Sequence, residues 1–214
     1  MKAVCGAYCK LPRMTAAADN GYRDRLRGAT GTAHVRLDAR FAQGLRTAQQ
    51  YRTYLIGMHA FLANAERALA AAALGPAWQA WRDPARTPWL DEDLAALSLV
   101  SLAESPALDV ASDADAAGLL YVIEGSALGA TQLVGDAHAL GFHAGTGATF
   151  LQRHGGLGAG KRWRAFVAAL EQADFDVRSE RAMLESAARA FASAEHEFHR
   201  AELADLATFA ATES

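Results

Sequence analysis

Apolar residues recur every three to four positions along most of this chain, which is the spacing of a helix face rather than of a strand. The clearest stripe consists of Leu26, Thr30, Ala33, Leu37 and Phe41. Alanine dominates the composition, while the β-branched residues that favour strands are sparse and scattered. The sequence therefore predicts an all-α protein.

Two proline-containing breaks and one glycine-dense segment divide the chain into separate helices. Gly75-Pro76 and Ser105-Pro106 are typical of helix ends, and residues 141–160 contain many of the glycines. Helices are predicted at 22–45, 49–74, 91–103, 113–140, 161–174 and 177–211, with a short one at 148–153. Neither an internal repeat nor a linker divides the chain. We expect one helical domain over 21–212, preceded by a flexible leader over 1–20.

Composition excludes several classes of protein. With 214 residues, 51% of them hydrophobic, the chain is long enough for one domain with a substantial core. A net charge of −3 without a basic stripe argues against nucleic acid as a partner. No apolar run approaches the roughly 18–20 residues that a membrane span requires. The first residues lack the apolar centre of a secretory signal, so we expect a cytoplasmic protein.

The only two cysteines, Cys5 and Cys9, lie in the predicted leader. Their spacing fits a metal-binding pair or a disulfide, but two cysteines alone establish neither. We therefore treat them as part of the leader.

His34 follows Thr30 by four residues, which predicts a position within the apolar stripe of the first helix. A neutral imidazole on an apolar helix face can be an axial ligand of haem iron, with its second ring nitrogen hydrogen-bonded to a partner. The alternative is a core histidine whose polar atoms are satisfied by neighbours. The residue alone does not decide between them.

Three glycines of the 113–140 helix, Gly118, Gly125 and Gly129, share one face. Glycine inside a helix costs about 1 kcal/mol relative to alanine, so three on one face need a reason. Either another helix packs closely there, or a flat ligand approaches the backbone. Gly125 and Gly129 also predict a kink.

Three motifs resemble those of haem oxygenases, especially the biliverdin-producing enzymes that accompany bacterial phytochromes. They are Ala29-Thr30-x-x-Ala33-His34, the segment from Tyr121 to Gly129 with Glu-Gly-Ser-x-Leu-Gly, and Arg162-Trp163-Arg164-Ala165-Phe166. They occur in the expected order, and the resemblance extends over about 23–206. It implies a single-domain multi-helix bundle that holds haem between a proximal helix and a kinked, glycine-rich distal helix.

The resemblance also implies which residues bind the substrate. His34 is the implied iron ligand, and basic residues hold the haem propionates. The implied haem-binding residues are His34, Arg27, Tyr121, Lys161 and Arg164. The haem is of the b type and serves as both cofactor and substrate.

The distal helix departs from the family pattern in two places. Ser126 stands where well-studied members carry an aspartate that orders water, and Ala130 stands where a second glycine is common. Serine can anchor a water but supplies no carboxylate. Asp136 lies on the face of Gly129 and could reach in instead. The catalytic candidates are therefore Gly125, Ser126, Gly129 and Asp136.

The implied reaction converts haem, O2 and electrons into biliverdin, carbon monoxide and ferrous iron. The chain has no flavin or nicotinamide fingerprint, so an external donor such as ferredoxin or a reductase must supply the electrons. Arg23, Arg25, Arg27 and residues 161–164 could form a basic docking patch. The product could pass to a phytochrome or belong to iron salvage.

Other functions stay open or are disfavoured. A non-catalytic haem-binding or haem-sensing protein of the same fold is the main alternative, because Ser126 replaces the aspartate. A helical interaction protein without haem is another. The 155–161 segment resembles a phosphate loop but lacks the following Ser or Thr and a preceding strand. We interpret the acidic and histidine residues of 195–199 as a solvated helix face. With no cysteine after Cys9, thiaminase-like nucleophilic chemistry is disfavoured.

Overall fold

The computed structural model describes residues 21–212, and side chains as far as residue 207. The leader predicted over 1–20, with Cys5 and Cys9, lies outside the described residues. Within them the chain forms eight α-helices and no strand, so the all-α prediction is confirmed. The helices are α1 (Tyr22–Phe41), α2 (Ala48–Ala71), α3 (Pro76–Gln79), α4 (Thr87–Ala96), α5 (Asp113–Ala139), α6 (Thr149–His154), α7 (Ala159–Glu171) and α8 (Val177–Thr212). A 3₁₀ turn, Ala80–Arg82, follows α3.

Three helix boundaries differ clearly from the sequence prediction. Helix α1 ends at Phe41 rather than near 45, because Gly44 adopts a left-handed conformation (φ 69°) that turns the chain toward α2. Helix α4 begins at Thr87, four residues earlier than expected, with Pro88 in its first turn. Proline is tolerated there because the first N–H groups of a helix have no intrahelical acceptor. The predicted continuation to 103 was wrong, since α4 ends at Ala96.

The long helix α8 is the central element of the core. Helices α1, α2 and α5 all pack against it, and α5 also packs against α6 and α7. The α2–α8 contact is close at Gly57, where an added Cβ would lie 2.5 Å from the Phe198 ring. The predicted stripe of α1 faces this core, with Leu26 and Thr30 fully buried and the other three members partly buried.

Helix α5 is strongly apolar. Among the described residues it is the one helix whose length and composition would allow it to cross a membrane, with a mean hydropathy of 1.2 over its most apolar window. However, 61% of that window is buried inside the protein. The burial is what the core helix of a bundle requires, so its apolar composition is explained by packing.

The 22–45 segment, which contains α1 and the start of the following loop, contacts α5 at two points. The Tyr121 hydroxyl of α5 lies against the Thr30 side chain of α1. Fifteen residues further along both segments, Oδ2 of Asp136 accepts a hydrogen bond from the Leu45 backbone N–H at 2.8 Å. The two segments therefore run in the same direction between these contacts.

Candidate functional site

One face of α5 is directed toward α1. Tyr121, Gly125, Gly129 and Asp136 follow one another at spacings of four, four and seven residues, which places them on a common helix face. The first and last of them make the two links to the α1 segment. Gly125 and Gly129, between the links, therefore face α1 at the level of its central turns.

His34 lies in the central part of α1, but its side chain is more exposed than its spacing predicted. The expectation that it lies buried in the apolar stripe was wrong, because its side chain is 50% exposed. A step of four residues advances about 40° around a helix, so His34 lies one step beyond Thr30, at the edge of the buried arc. Its ring contacts Phe191 of α8, with the ring centroids 5.3 Å apart.

The two ring nitrogens of His34 have different surroundings. Nδ1 lies 2.9 Å from Oδ2 of Asp38, one helical turn further along. A carboxylate on one nitrogen fixes the orientation of an imidazole and leaves Nε2 to bind a metal, as in many metal-ligating histidines. Sequence reasoning missed Asp38, although an acidic residue four positions after a histidine on a helix is a readable signal.

The surroundings of the three glycines of α5 differ, so one explanation does not account for all of them. A Cβ added at Gly118 would lie 2.1 Å from the backbone oxygen of Met183, so α8 packs directly on this glycine. At Gly129 an added Cβ meets no atom within 4 Å, and at Gly125 it meets only the Trp163 ring, at 3.6 Å. Close helix packing therefore explains Gly118, whereas it does not explain the other two. The helix continues unbroken through both, and a kink there stays a prediction.

A basic edge lies at the first link. Arg23 and Arg27 are close enough to Tyr121 for their charges to favour its ionised form, although burial dominates and raises the pKa of Tyr121. The Tyr121 ring also contacts Trp163 of α7, with centroids 5.6 Å apart. Arg23 and Arg164 line a surface pocket of about 300 Å³ together with Trp163.

Lys161 is exposed on the first turn of α7, one turn before Arg164. The structure thus brings Arg27 and Tyr121 together and places Arg164 near Arg23. Lys161 lies on the same helix as Arg164, one turn away.

Ser126 belongs to a buried hydrogen-bond chain that the sequence did not indicate. Its Oγ lies 2.8 Å from the Ile123 carbonyl oxygen and 2.9 Å from Nε2 of His154, the last residue of α6. Burial, together with the nearby charges of Arg86 and Arg162, lowers the pKa of His154 to about 3, so this imidazole is neutral. Nothing local predicted the contact, since His154 is far from Ser126 in sequence.

An ion cluster lies beside this chain. Glu124, which is 1% exposed, accepts two hydrogen bonds from Arg162 at 2.7 and 2.8 Å and a third from Arg86. The Arg162 guanidinium also stacks over the Trp81 ring, 5.0 Å from its centroid. A buried carboxylate with two arginine partners is fully compensated, and it connects α5 with α7 and the start of α4.

The buried His154 predicts a pH-dependent stability. Its pKa of about 3 lies below the unfolded value of about 6.5, so the unfolded chain binds the extra proton between these pH values. The contribution of His154 to the free energy of unfolding is complete above pH 6.5. It decreases as the pH falls, by up to about 1.4 kcal/mol per pH unit. The charges that face the ring are Arg86 and Arg162, with Glu124 between them.

Urea unfolding between pH 4.5 and 7.5 measures this effect. We expect the free energy of unfolding to fall less steeply with decreasing pH in His154→Phe than in the native chain. Equal slopes below pH 6.5 would show that His154 is not a buried neutral group.

The phosphate-loop-like segment 155–161 and the acidic and histidine residues of 195–199 both pack in part against the core. Among the described residues no three His, Cys, Asp or Glu side chains form a group suited to a metal. His196 and His199 are exposed, but Glu197 is buried and pairs with Arg200, so the solvated-face interpretation was wrong for that residue. Gly155 packs on α5, where an added Cβ would lie 2.6 Å from the Ala130 carbonyl carbon.

The fold and site thus define an all-helical protein in which a histidine-bearing helix lies beside the glycine-bearing face of a core helix. The sequence model of the Heme oxygenase family matches residues 21–200. A search of solved structures finds NO- and CO-bound heme oxygenase from Neisseria meningitidis, with a TM-score of 0.69 and 24% identity. That match covers 85% of this chain and 92% of the other, and it shows the fold. A search of curated protein sequences gives no significant match.

The chain belongs to the haem oxygenase family. Its class is therefore that of haem-degrading oxidoreductases, which bind haem as their substrate.

Proposed function

We propose that this chain is a haem oxygenase that opens b-type haem to biliverdin, carbon monoxide and ferrous iron, with His34 as the proximal iron ligand. The proposal rests on one face of α1, which bears His34, and on one face of α5, which bears Gly129. His34, with Nδ1 on Asp38, is half exposed on α1. Gly129 has open space beside it and shares a face of α5 with Tyr121 and Asp136, which contact the 22–45 segment.

The residues present fit a flat tetrapyrrole. An imidazole Nε2 is a suitable fifth ligand for haem iron, and a glycine face lets a planar ring approach the backbone. Bound haem would supply both the iron at which O2 is reduced and the ring carbon that is oxidised.

Arg27, Tyr121 and Arg164 would hold the propionates, with Lys161 as a further cation. The support is the cluster of positive charge at the first link, where Arg27 and Arg23 flank Tyr121. Arginine suits carboxylates because its planar fork can donate two hydrogen bonds at once.

Gly125, Gly129, Ser126 and Asp136 would form the distal side. The backbone at the two glycines would limit the space on that side of the ring. Ser126 would hold water there. Oδ2 of Asp136 already accepts the Leu45 N–H, so the carboxylate would take part through its remaining lone pairs.

The electrons would come from an external protein, such as ferredoxin or a reductase, in the cytoplasm. Arg25 is engaged by Glu180 at 2.8 Å, so the docking patch would rest on Arg23, Arg27 and Arg164. Charge reversal at Arg23 should slow donor-dependent turnover, and unchanged turnover would count against the patch. The biliverdin could then pass to a phytochrome.

A non-catalytic haem-binding or haem-sensing protein is the second candidate. The observation that favours it is Ser126, whose position carries no carboxylate and whose hydroxyl already contacts Ile123 and His154. Binding of haem without turnover would distinguish it.

An absorption titration with hemin tests the proposal directly. We expect a one-to-one Soret band that decays to a broad red biliverdin band when ascorbate, or ferredoxin with its reductase, is added in air. A Soret band that persists would favour the second candidate. No band at all would contradict both.

A further inference from the structure

The hydroxyl proton of Ser126 can be located from two distances. Ser126 Oγ lies 2.8 Å from the Ile123 carbonyl oxygen, which carries no proton of its own. Two oxygens at that distance need a proton between them, and only the serine can provide it. The hydroxyl of Ser126 therefore donates to Ile123.

The contact with His154 must then run in the opposite direction. His154 Nε2 lies 2.9 Å from the same Oγ, whose single proton is already committed. Nε2 therefore carries the imidazole proton and donates it to Ser126. The Ser126 oxygen is left with one acceptor site and no donor.

Helix α6 holds His154 firmly in this position. Both oxygens of the buried Asp93 accept backbone N–H groups at the start of α6, from Thr149 at 2.7 Å and Phe150 at 2.8 Å. The Phe150 ring stacks on His154 with centroids 4.9 Å apart. Gly155 then lets the end of α6 lie directly on the α5 backbone. The donor nitrogen is thus fixed by packing on both sides.

We propose that His154 is a positioning residue that locks Ser126 as a pure hydrogen-bond acceptor on the distal side of the haem site. A water that donates one hydrogen to Ser126 keeps its second hydrogen free to point at the iron-bound ligand. If Ser126 donated instead, the water would be turned around and its lone pairs would face the ligand. The Ser126–His154 pair would thus do with two neutral side chains what a carboxylate acceptor does alone.

This inference rests on the proposed function, because it requires haem between α1 and α5. The infrared C–O stretch of the ferrous complex with carbon monoxide is a suitable measurement, since a hydrogen donated to the bound CO lowers its frequency. We expect His154→Phe and Ser126→Ala to raise the C–O frequency and to abolish its shift in deuterated water. His154→Gln, which retains an N–H donor, should keep the native frequency.

His138→Phe is the matched control. His138 also connects α5 to α6, through a 2.8 Å contact of its Nε2 with Gln152, but it does not contact Ser126. This variant should keep the native C–O frequency, and hemin affinity should be unchanged in all four variants.

The two possible failures can be told apart. Absence of a hemin complex with the native chain would overturn the proposed function. A native hemin complex whose C–O frequency is the same in Ser126→Ala would overturn the role of the Ser126–His154 pair, even if His154→Phe does not fold.

Discussion

His34→Ala should abolish the Soret band of a histidine-ligated hemin complex while leaving the helical fold intact. The side chain is half exposed and lies beside the core stripe, so its removal leaves no buried cavity. A substitution of this kind usually changes stability by no more than about 0.5 kcal/mol. Hemin absorption and circular dichroism on the same sample measure both parts of the expectation.

Imidazole rescue and a second histidine sharpen this test. Added imidazole should restore the Soret band of His34→Ala, because the small ring can replace the missing ligand. His196→Ala, which removes an exposed histidine of α8, should bind hemin as the native chain does. A native Soret band in His34→Ala would assign the iron to another ligand.

Asp38→Asn tests the hydrogen-bond partner of His34, the proposed iron ligand. Removing an outer hydrogen-bond acceptor from a metal-bound histidine typically costs about 10–100-fold in metal affinity. Asp38 is 71% exposed, so we expect a loss near the lower limit. The variant should therefore still form the complex, in contrast to His34→Ala.

Most of the fold could be predicted from sequence because it depends on local patterns. Helical periodicity and the Gly-Pro break located α2 and α5 to within a few residues of their observed ends. The errors arose where a local rule has two outcomes. Helix α4 was predicted to begin at 91, after Pro88, although the first turn of a helix accepts proline.

The candidate site was predictable only in part. His34 and the glycines of α5 are candidates that residue type and spacing on one helix indicate, and their roles stay predictions. The apolar spacing misplaced His34, since the edge of a buried arc is set by the width of the packing partner rather than by the helix itself. His154 and the Arg86–Glu124–Arg162 cluster depend on contacts between distant segments, and no local pattern encodes them.

Substitutions of the α5 glycines should have the second large effect. Gly118 and Gly129 share one helix face, but their structural roles are opposite. Gly118→Ala should lower the free energy of unfolding by about 1–3 kcal/mol, the usual cost of overpacking a tight contact. The added methyl would lie 2.1 Å from the Met183 backbone oxygen, and a backbone atom of α8 cannot move aside as a flexible side chain can.

Gly129→Ala should do the reverse. Its methyl meets no atom within 4 Å, and alanine replaces glycine inside a helix, so the unfolding free energy should rise by about 0.5–1 kcal/mol. The same methyl would stand on the face where haem is proposed to lie, so hemin affinity and turnover should fall. Urea unfolding of the haem-free protein and hemin titration measure the two effects separately. If Gly129→Ala gains stability and also keeps native hemin affinity and turnover, the glycine is not there for a ligand, and the distal side must be sought on another face of α5.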